Sequence, residues 1–143
     1  VSYLDFESML AIDRRHSFSG QKNLDWFFAN RKWVRVSVKG VASKSIVEAA
    51  WASRSLPEGE AGVRFLLLAP KRNYKHAHDR NKIRRWLRAA ISEVELFARI
   101  EDRMQESSQQ SIVMMRVSKP LPNLNWSAIL DDVRKIAERL SEL

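Results

Sequence analysis

The chain has 143 residues, with 25 Lys plus Arg against 17 Asp plus Glu, so its formal charge is +8; apolar residues make up 45% and charged residues 29%. That length suits one domain with its own core, and the composition excludes an intrinsically disordered chain. The absence of Cys excludes a disulfide scaffold, a thiolate zinc site and a thiol nucleophile, and it fits a reducing, cytoplasmic setting.

In chain order, the amino terminus (Val1-Ser2-Tyr3-Leu4-Asp5-Phe6-Glu7) lacks the charged start, apolar run and small-residue cleavage site of a secretory signal. Ser17-Phe18-Ser19-Gly20 reads as a turn. Leu24, Phe27 and Phe28 then recur at helical spacing, which predicts a short amphipathic helix from Asn23 to Asn30. Trp33 to Val38 alternates with period two, Ser45 to Ser53 does so more weakly, and Gly40 separates two expected strands. Pro57, Gly59 and Gly62 mark a turn before the apolar run Val63 to Ala69, which Pro70 ends; this run is expected to be the most buried strand. It is strand-length, far short of the roughly 18–20 apolar residues of a membrane span, so a soluble protein with no membrane partner is expected.

A basic loop from Lys71 to His78 leads into a helical pattern, with Ile83, Leu87, Ala90, Ile91 and Val94 on one side and Asp79 placed to cap the first amides. Ser107-Ser108-Gln109-Gln110 reads as a polar turn, and Ile112 to Val117 as a strand stopped near Pro120 and Pro122. Asn125 or Ser127 can start a last helix, with Trp126, Ile129, Val133, Ile136 and Leu140 as its apolar stripe and Asp131-Asp132 on a solvated face. No repeat or linker divides the chain. The expected fold is therefore α+β, an α/β sandwich in which helices pack on one side of a mostly antiparallel sheet, in the order α-β-β(-β)-α-β-α.

The charge is concentrated. Arg64 to Arg88 holds nine cations and one acid, Asp79, a net +8, and the rest of the chain holds 16 of each sign. A weaker focus runs from Arg14 to Lys44, with eight cations against Asp25. Such focusing points to a polyanionic partner rather than to solubility alone, the simpler alternative being a solvated basic face. At 100° per residue, Asn81, Arg84, Arg85 and Arg88 occupy a sector beside the apolar one. A helix holds such guanidinium forks at fixed spacing, and each can donate two hydrogen bonds to a phosphate.

These residues carry a resemblance. Lys71-Arg72-Asn73-Tyr74-Lys75-His76-Ala77-His78-Asp79-Arg80-Asn81-Lys82-Ile83-Arg84-Arg85-Trp86-Leu87-Arg88 is similar to the signature of the bacterial ribonuclease P protein subunit, in which a Lys-rich loop precedes Ala, two residues, Arg-Asn-Arg, an apolar residue, Lys-Arg and then Leu-Arg. Ala77, Arg80, Asn81, Ile83, Arg85, Leu87 and Arg88 match as they stand, and Lys82 and Arg84 exchange one basic residue for another. Phe18, Leu24, Phe28, Arg31 and Lys32 resemble the family's opening, Ser111 to Val117 its last strand and Trp126 to Leu143 its last helix. Leu24 stands where the family usually has an aromatic residue, and Lys75 where it usually has Gly. The likeness covers residues 17–143 of a single domain, apart from the extra length around Trp33 to Lys44, which like the amino-terminal extension of residues 1–16 has no clear counterpart.

The resemblance implies a left-handed βαβ crossover and an accessory role in ribonuclease P, whose catalytic RNA removes the 5′ leader of precursor tRNA by Mg²⁺-dependent phosphodiester hydrolysis. It implies that Lys71, Arg72, Arg80, Asn81, Lys82, Arg84, Arg85 and Arg88 dock on the ribonuclease P RNA. It places the leader in a central cleft between the first helix, the sheet and the motif helix, at Phe28 with Arg31, Lys32, Trp51 and Tyr74. Aromatic rings interleaved with cations suit a single strand. Trp26, Phe27, Trp33, Trp86, Phe97 and Trp126 are expected in the core or at its rim.

The residues themselves supply no protein catalytic site: there is no phosphate-cradling Gly-rich loop, HExxH pair or nucleophile elbow. His76 and His78 have only Asp79 nearby as a third ligand and read as loop residues beside phosphate; Mg²⁺ is expected mainly on the RNA. No protein partner is implied. The alternative is a ribosomal or ribosome-associated structural protein, which needs only the basic helix face and no open aromatic groove.

Overall fold

Gln109–Val117 is apolar at consecutive positions from Ile112 to Met115, so a strand made from it must be covered on both faces. The computed structural model describes residues 18–34, 46–55, 62–103, 109–117 and 125–141. Its elements are helix α1 (Gln21–Asn30), strands β1 (Lys32–Val34), β2 (Val47–Ser55) and β3 (Gly62–Leu68), helices α2 (Ala77–Glu93) and α3 (Leu96–Arg103), strand β4 (Gln109–Val117) and helix α4 (Trp126–Ser141). The sheet order is β1-β2-β4-β3. β1 and β2, and β2 and β4, are antiparallel, whereas β3 and β4 are parallel and are joined through α2 and α3. A parallel pair needs such a crossover because a tight turn cannot reverse it. The fold is the expected α+β sandwich.

Register sorts the side chains. Trp33, Ala50, Met114 and Leu66 lie opposite one another across the four strands, as do Lys32, Trp51, Val113 and Phe65, and successive residues of a strand point to opposite faces. On one face Ala50, Ala52, Ile112 and Met114 pack with Phe18 and with Phe27 of α1. On the other, Val47, Ala49, Val63, Phe65, Val113, Met115 and Val117 are covered by Ile83, Leu87, Ala90 and Ile91 of α2 and by Ile129, Val133, Ile136 and Ala137 of α4. The helices, expected on one side, therefore occupy both, because β4 is apolar in both phases of its alternation.

The same alternation corrects a second expectation. Val63 to Ala69 is not the most buried strand: β3 lies at the end of the sheet order, and Leu66, Leu67 and Leu68 are only half-buried, whereas β4 sits between two neighbours and is buried from Ile112 to Met115. An apolar run shows that two faces are covered and leaves its place in the sheet open.

Boundaries move for identifiable reasons. α1 starts at Gln21, after Gly20 at φ 95°, with Asn23 Nδ2 donating to the Ser19 carbonyl. α2 starts at Ala77, so Asp79 lies inside its first turn and makes no capping bond; a carboxylate there still suits the helix dipole. Glu95 adopts φ 55° and ends α2, which makes α3 a separate helix that the sequence reading did not anticipate. Glycine normally marks such a left-handed stop, and none stands there. Gln109 and Gln110 belong to β4 rather than to a turn, and Gln110 is buried. Asn125 caps α4 by accepting the Ala128 amide at 2.8 Å, and Trp126 beside it is exposed rather than part of the apolar stripe. Residues 35–38 and 45 of the expected strands, and Pro57, Gly59, Pro120 and Pro122, fall outside the described residues.

Two side chains tie distant parts of this frame together. Asp132 is not merely solvated: its Oδ2 accepts the Ile46 and Val47 amides at 2.6 and 3.0 Å, fixing the start of β2 to α4. Tyr74 is 2% exposed within the larger core, and burial pushes its phenol from 10.0 up to about 12.

Asp132→Ala should cost about 1–3 kcal/mol, the usual penalty for orphaning buried amides, read as a lower urea midpoint at unchanged m-value. For Tyr74 the folded state holds its proton more tightly than the unfolded chain. The resulting stability is complete below pH 10 and is lost as pH rises toward about 12. Urea unfolding across that range should show the loss, and Tyr74→Phe should reduce it.

Candidate nucleic-acid interface

With Ile83, Leu87, Ala90 and Ile91 turned to the core, the geometry of α2 leaves Asn81, Arg85 and Arg88 exposed. The cations of this motif do different work. Arg80 Nη1 donates to the Tyr74 and Lys75 carbonyls, both at 2.9 Å, so this guanidinium ties the basic loop to the start of the helix. Arg84 Nη1 donates to Asn81 Oδ1 at 3.2 Å, and Lys82 Nζ lies 4.8 Å from the centre of the Trp86 ring. Lys71, Arg72, Arg85 and Arg88 are exposed and form no ion pair among the described residues. Such cations, three of them guanidinium forks, on a helix and its leading loop can each engage a phosphate without first giving up an ion-pair partner among the described residues.

The opposite face has another chemistry. Phe27 is fully buried, and the Phe28 ring meets it edge-on at 5.8 Å while remaining 43% exposed. Arg31 follows the end of α1, and its guanidinium carbon lies 4.9 Å from the Phe28 ring centre and 4.6 Å from that of Trp33. Trp33 is 44% exposed. Arg116 stands 5.5 Å from the Trp33 ring and pairs with Glu48. Aromatic and cationic groups thus alternate from α1 onto the sheet.

Arg54 secures this side. Its guanidinium lies 4.4 Å from the Trp26 ring centre and 5.7 Å from that of Phe18, and it donates to Asn23 Oδ1 at 2.9 Å and to Gln110 Oε1 at 3.0 Å. It therefore binds α1 to β4 through stacking and hydrogen bonding at once.

The expected cleft is only partly assembled. Phe28 and Arg31 come together. Lys32 and Trp51 pair with each other, Nζ 5.5 Å from the ring, on the opposite face, because each is one residue out of phase with Trp33 and Ala50. Trp51 packs at the edge of the larger core. Tyr74 lies within that core and offers no open ring face. The motif helix is not a wall of the cleft either, since the sheet separates α2 from α1.

Sequence reasoning missed Trp33, Arg54 and Arg116. Trp33 was expected at the core, yet period two places it opposite Val34, which reaches the larger core. Arg116 is the one charge within the apolar run from Ile112 to Val117, a signal that the adjoining face is open. His76 and His78 are exposed, and among the described residues no three His, Asp or Glu side chains converge as metal ligands. Among the described residues no helix is long and apolar enough to cross a membrane.

A family model described as Ribonuclease P matches residues 28–141, well over half of the chain. No curated relative and no solved structure matches it.

Proposed function

The chain belongs to the ribonuclease P family, and from that premise we propose that this protein subunit uses the two faces of its sheet for two different parts of an RNA assembly in the cytoplasm. The family places it in an RNA-cleaving ribonucleoprotein that processes tRNA, with ribonuclease P RNA and precursor tRNA as the implied partners. In this reading Lys71, Arg72, Asn81, Lys82, Arg84, Arg85 and Arg88 dock on the catalytic RNA, and Arg80 holds the loop in the shape that docks. The 5′ leader of precursor tRNA runs over the other face, with a base on Phe28 and a phosphate at Arg31.

The observation that carries the reading is the pairing of these surfaces across one sheet: unpaired cations on α2, and an exposed aromatic ring under a guanidinium beside α1. A structural ribosomal protein has use for the first and none for the second. Phosphate contacts supply affinity and salt dependence, while stacking holds a single strand with little sequence preference.

The protein contributes position rather than bond cleavage. Hydrolysis of the phosphodiester at the end of the leader is assigned to the RNA, with Mg²⁺ held there by phosphates and water. Of the described carboxylates, Glu48 faces Arg116 and Asp132 is spent on two backbone amides, and no three His, Asp or Glu side chains converge among the described residues.

Mixing the chain with its cognate ribonuclease P RNA at low Mg²⁺ should stimulate precursor tRNA cleavage; no stimulation would overturn the assignment. Arg88→Ala should weaken RNA binding and reduce the slope of log K against log salt by about 0.7–0.9, one phosphate contact. Phe28→Ala in the assembled enzyme should cost about 1–3 kcal/mol of affinity for precursor tRNA and leave mature tRNA unaffected, because only the precursor carries the leader.

A further inference from the structure

Among the described strand residues, the face of the sheet turned toward α1 carries a single acid, Glu48. A surface built for a polyanion has a physical reason to exclude it, since a carboxylate repels phosphate. Glu48 lies directly opposite Arg116 on the neighbouring strand, and its Oε2 accepts a hydrogen bond from Arg116 Nη2. Neither side chain is sealed: the pair is 38% and 26% exposed. An ion pair so open to water adds little to stability. It also uses the guanidinium sparingly, for a planar fork has five donors and Arg116 Nε makes no hydrogen bond among the described residues.

The location gives the pair its meaning. Both Arg31 and Arg116 lie near the Trp33 ring, at 4.6 and 5.5 Å from its centre. Arg31 also reaches Phe28 at 4.9 Å, so the two exposed rings share one guanidinium and their centres are at most about 9.5 Å apart. A single strand seated on Phe28 thus meets a second stacking platform and a second cation, and that cation already holds an anion.

We infer that Glu48 is a resident substitute for phosphate. In the free protein its carboxylate occupies Arg116; a single-stranded RNA that continues from Phe28 over Trp33 stacks a base on the indole and exchanges the carboxylate for a backbone phosphodiester. One negative group replaces another at Arg116, so the step gains little net charge neutralisation. Glu48 thereby limits the affinity of the groove, which suits a site that must release a cleaved leader at every turnover. The inference rests on the reading that the α1 face takes a single strand.

The experiment titrates the full chain into fluorescein-labelled oligouridine and reads anisotropy over a range of KCl concentrations. Glu48→Gln should bind about three- to tenfold more tightly and steepen the slope of log K against log salt by about 0.7, one additional phosphate contact. Arg116→Gln should weaken binding and flatten the slope, and adding Glu48→Gln to it should gain less than Glu48→Gln gains on the wild-type chain. A purely structural pair predicts instead that Glu48→Gln lowers the thermal midpoint and leaves binding unchanged or weaker, and that result overturns the exchange. Should Glu48→Gln fail to fold, Arg116→Lys decides: weaker binding at unchanged slope supports a fork on phosphate, and equal or tighter binding refutes it. If the wild-type chain does not bind oligouridine, the reading of the groove itself fails; if it binds and the variants do not differ from it, only the exchange fails.

Discussion

Everything in this molecule depends on β4 being apolar in both phases of its alternation. Ile112 and Met114 need cover on one side and Val113, Met115 and Val117 on the other, so neither face of the sheet can be left to water. One side recruits α2 and α4, which carry enough Ile, Leu and Val to form a broad core. Among the described residues the other is covered by Phe18 and by α1, a ten-residue helix with one fully buried aromatic ring. The imbalance between a thick layer and a thin one leaves part of the second face open beside α1, and the aromatic and cationic side chains of that face lie there.

The two faces differ in kind as well as in extent. On α2 the cations stand on a regular helix beside a buried apolar stripe, and the heads of Arg85 and Arg88 are exposed without an ion pair among the described residues. Near α1 the cations lie against rings, and each guanidinium is already engaged by stacking, a hydrogen bond or an acid. The first arrangement suits a large, shaped polyanion with many phosphates at fixed separation. The second suits a chain whose bases can be splayed out one at a time. A single sheet keeps the two surfaces close together while holding them on opposite faces.

Much of this was legible from residue order. The α2 pattern placed Ile83, Leu87, Ala90 and Ile91 on the core, and the motif cations beside them could be named because helix geometry converts spacing into direction. Strand pairing was harder. Trp51, Lys32 and Trp33 are close in type and position, yet whether each side chain faces the α1 side of the sheet or the larger core is decided by a one-residue phase that only the partner strand sets. Tyr74 was misplaced for a related reason: a tyrosine in a basic loop looks exposed until the Asn73 and Tyr74 amides are seen bonding back to the Pro70 carbonyl, turning the loop inward. The break at Glu95 had no glycine to announce it, and Asp132 could be separated from its solvated neighbour Asp131 only by the amides that it meets 85 and 86 residues away.

That long reach from Asp132 to the head of β2 bears on how the chain comes into being. β2 obtains its main pairing from β4, about 60 residues later, and its first amides find their acceptor only in the last helix. The turns of α2 are local and need no such wait. During synthesis the basic helix can therefore take shape while the α1 face of the sheet still lacks its central strand. Only after the carboxylate at 132 has emerged can the head of β2 be locked in register, so the two surfaces mature in sequence, the basic face of α2 first.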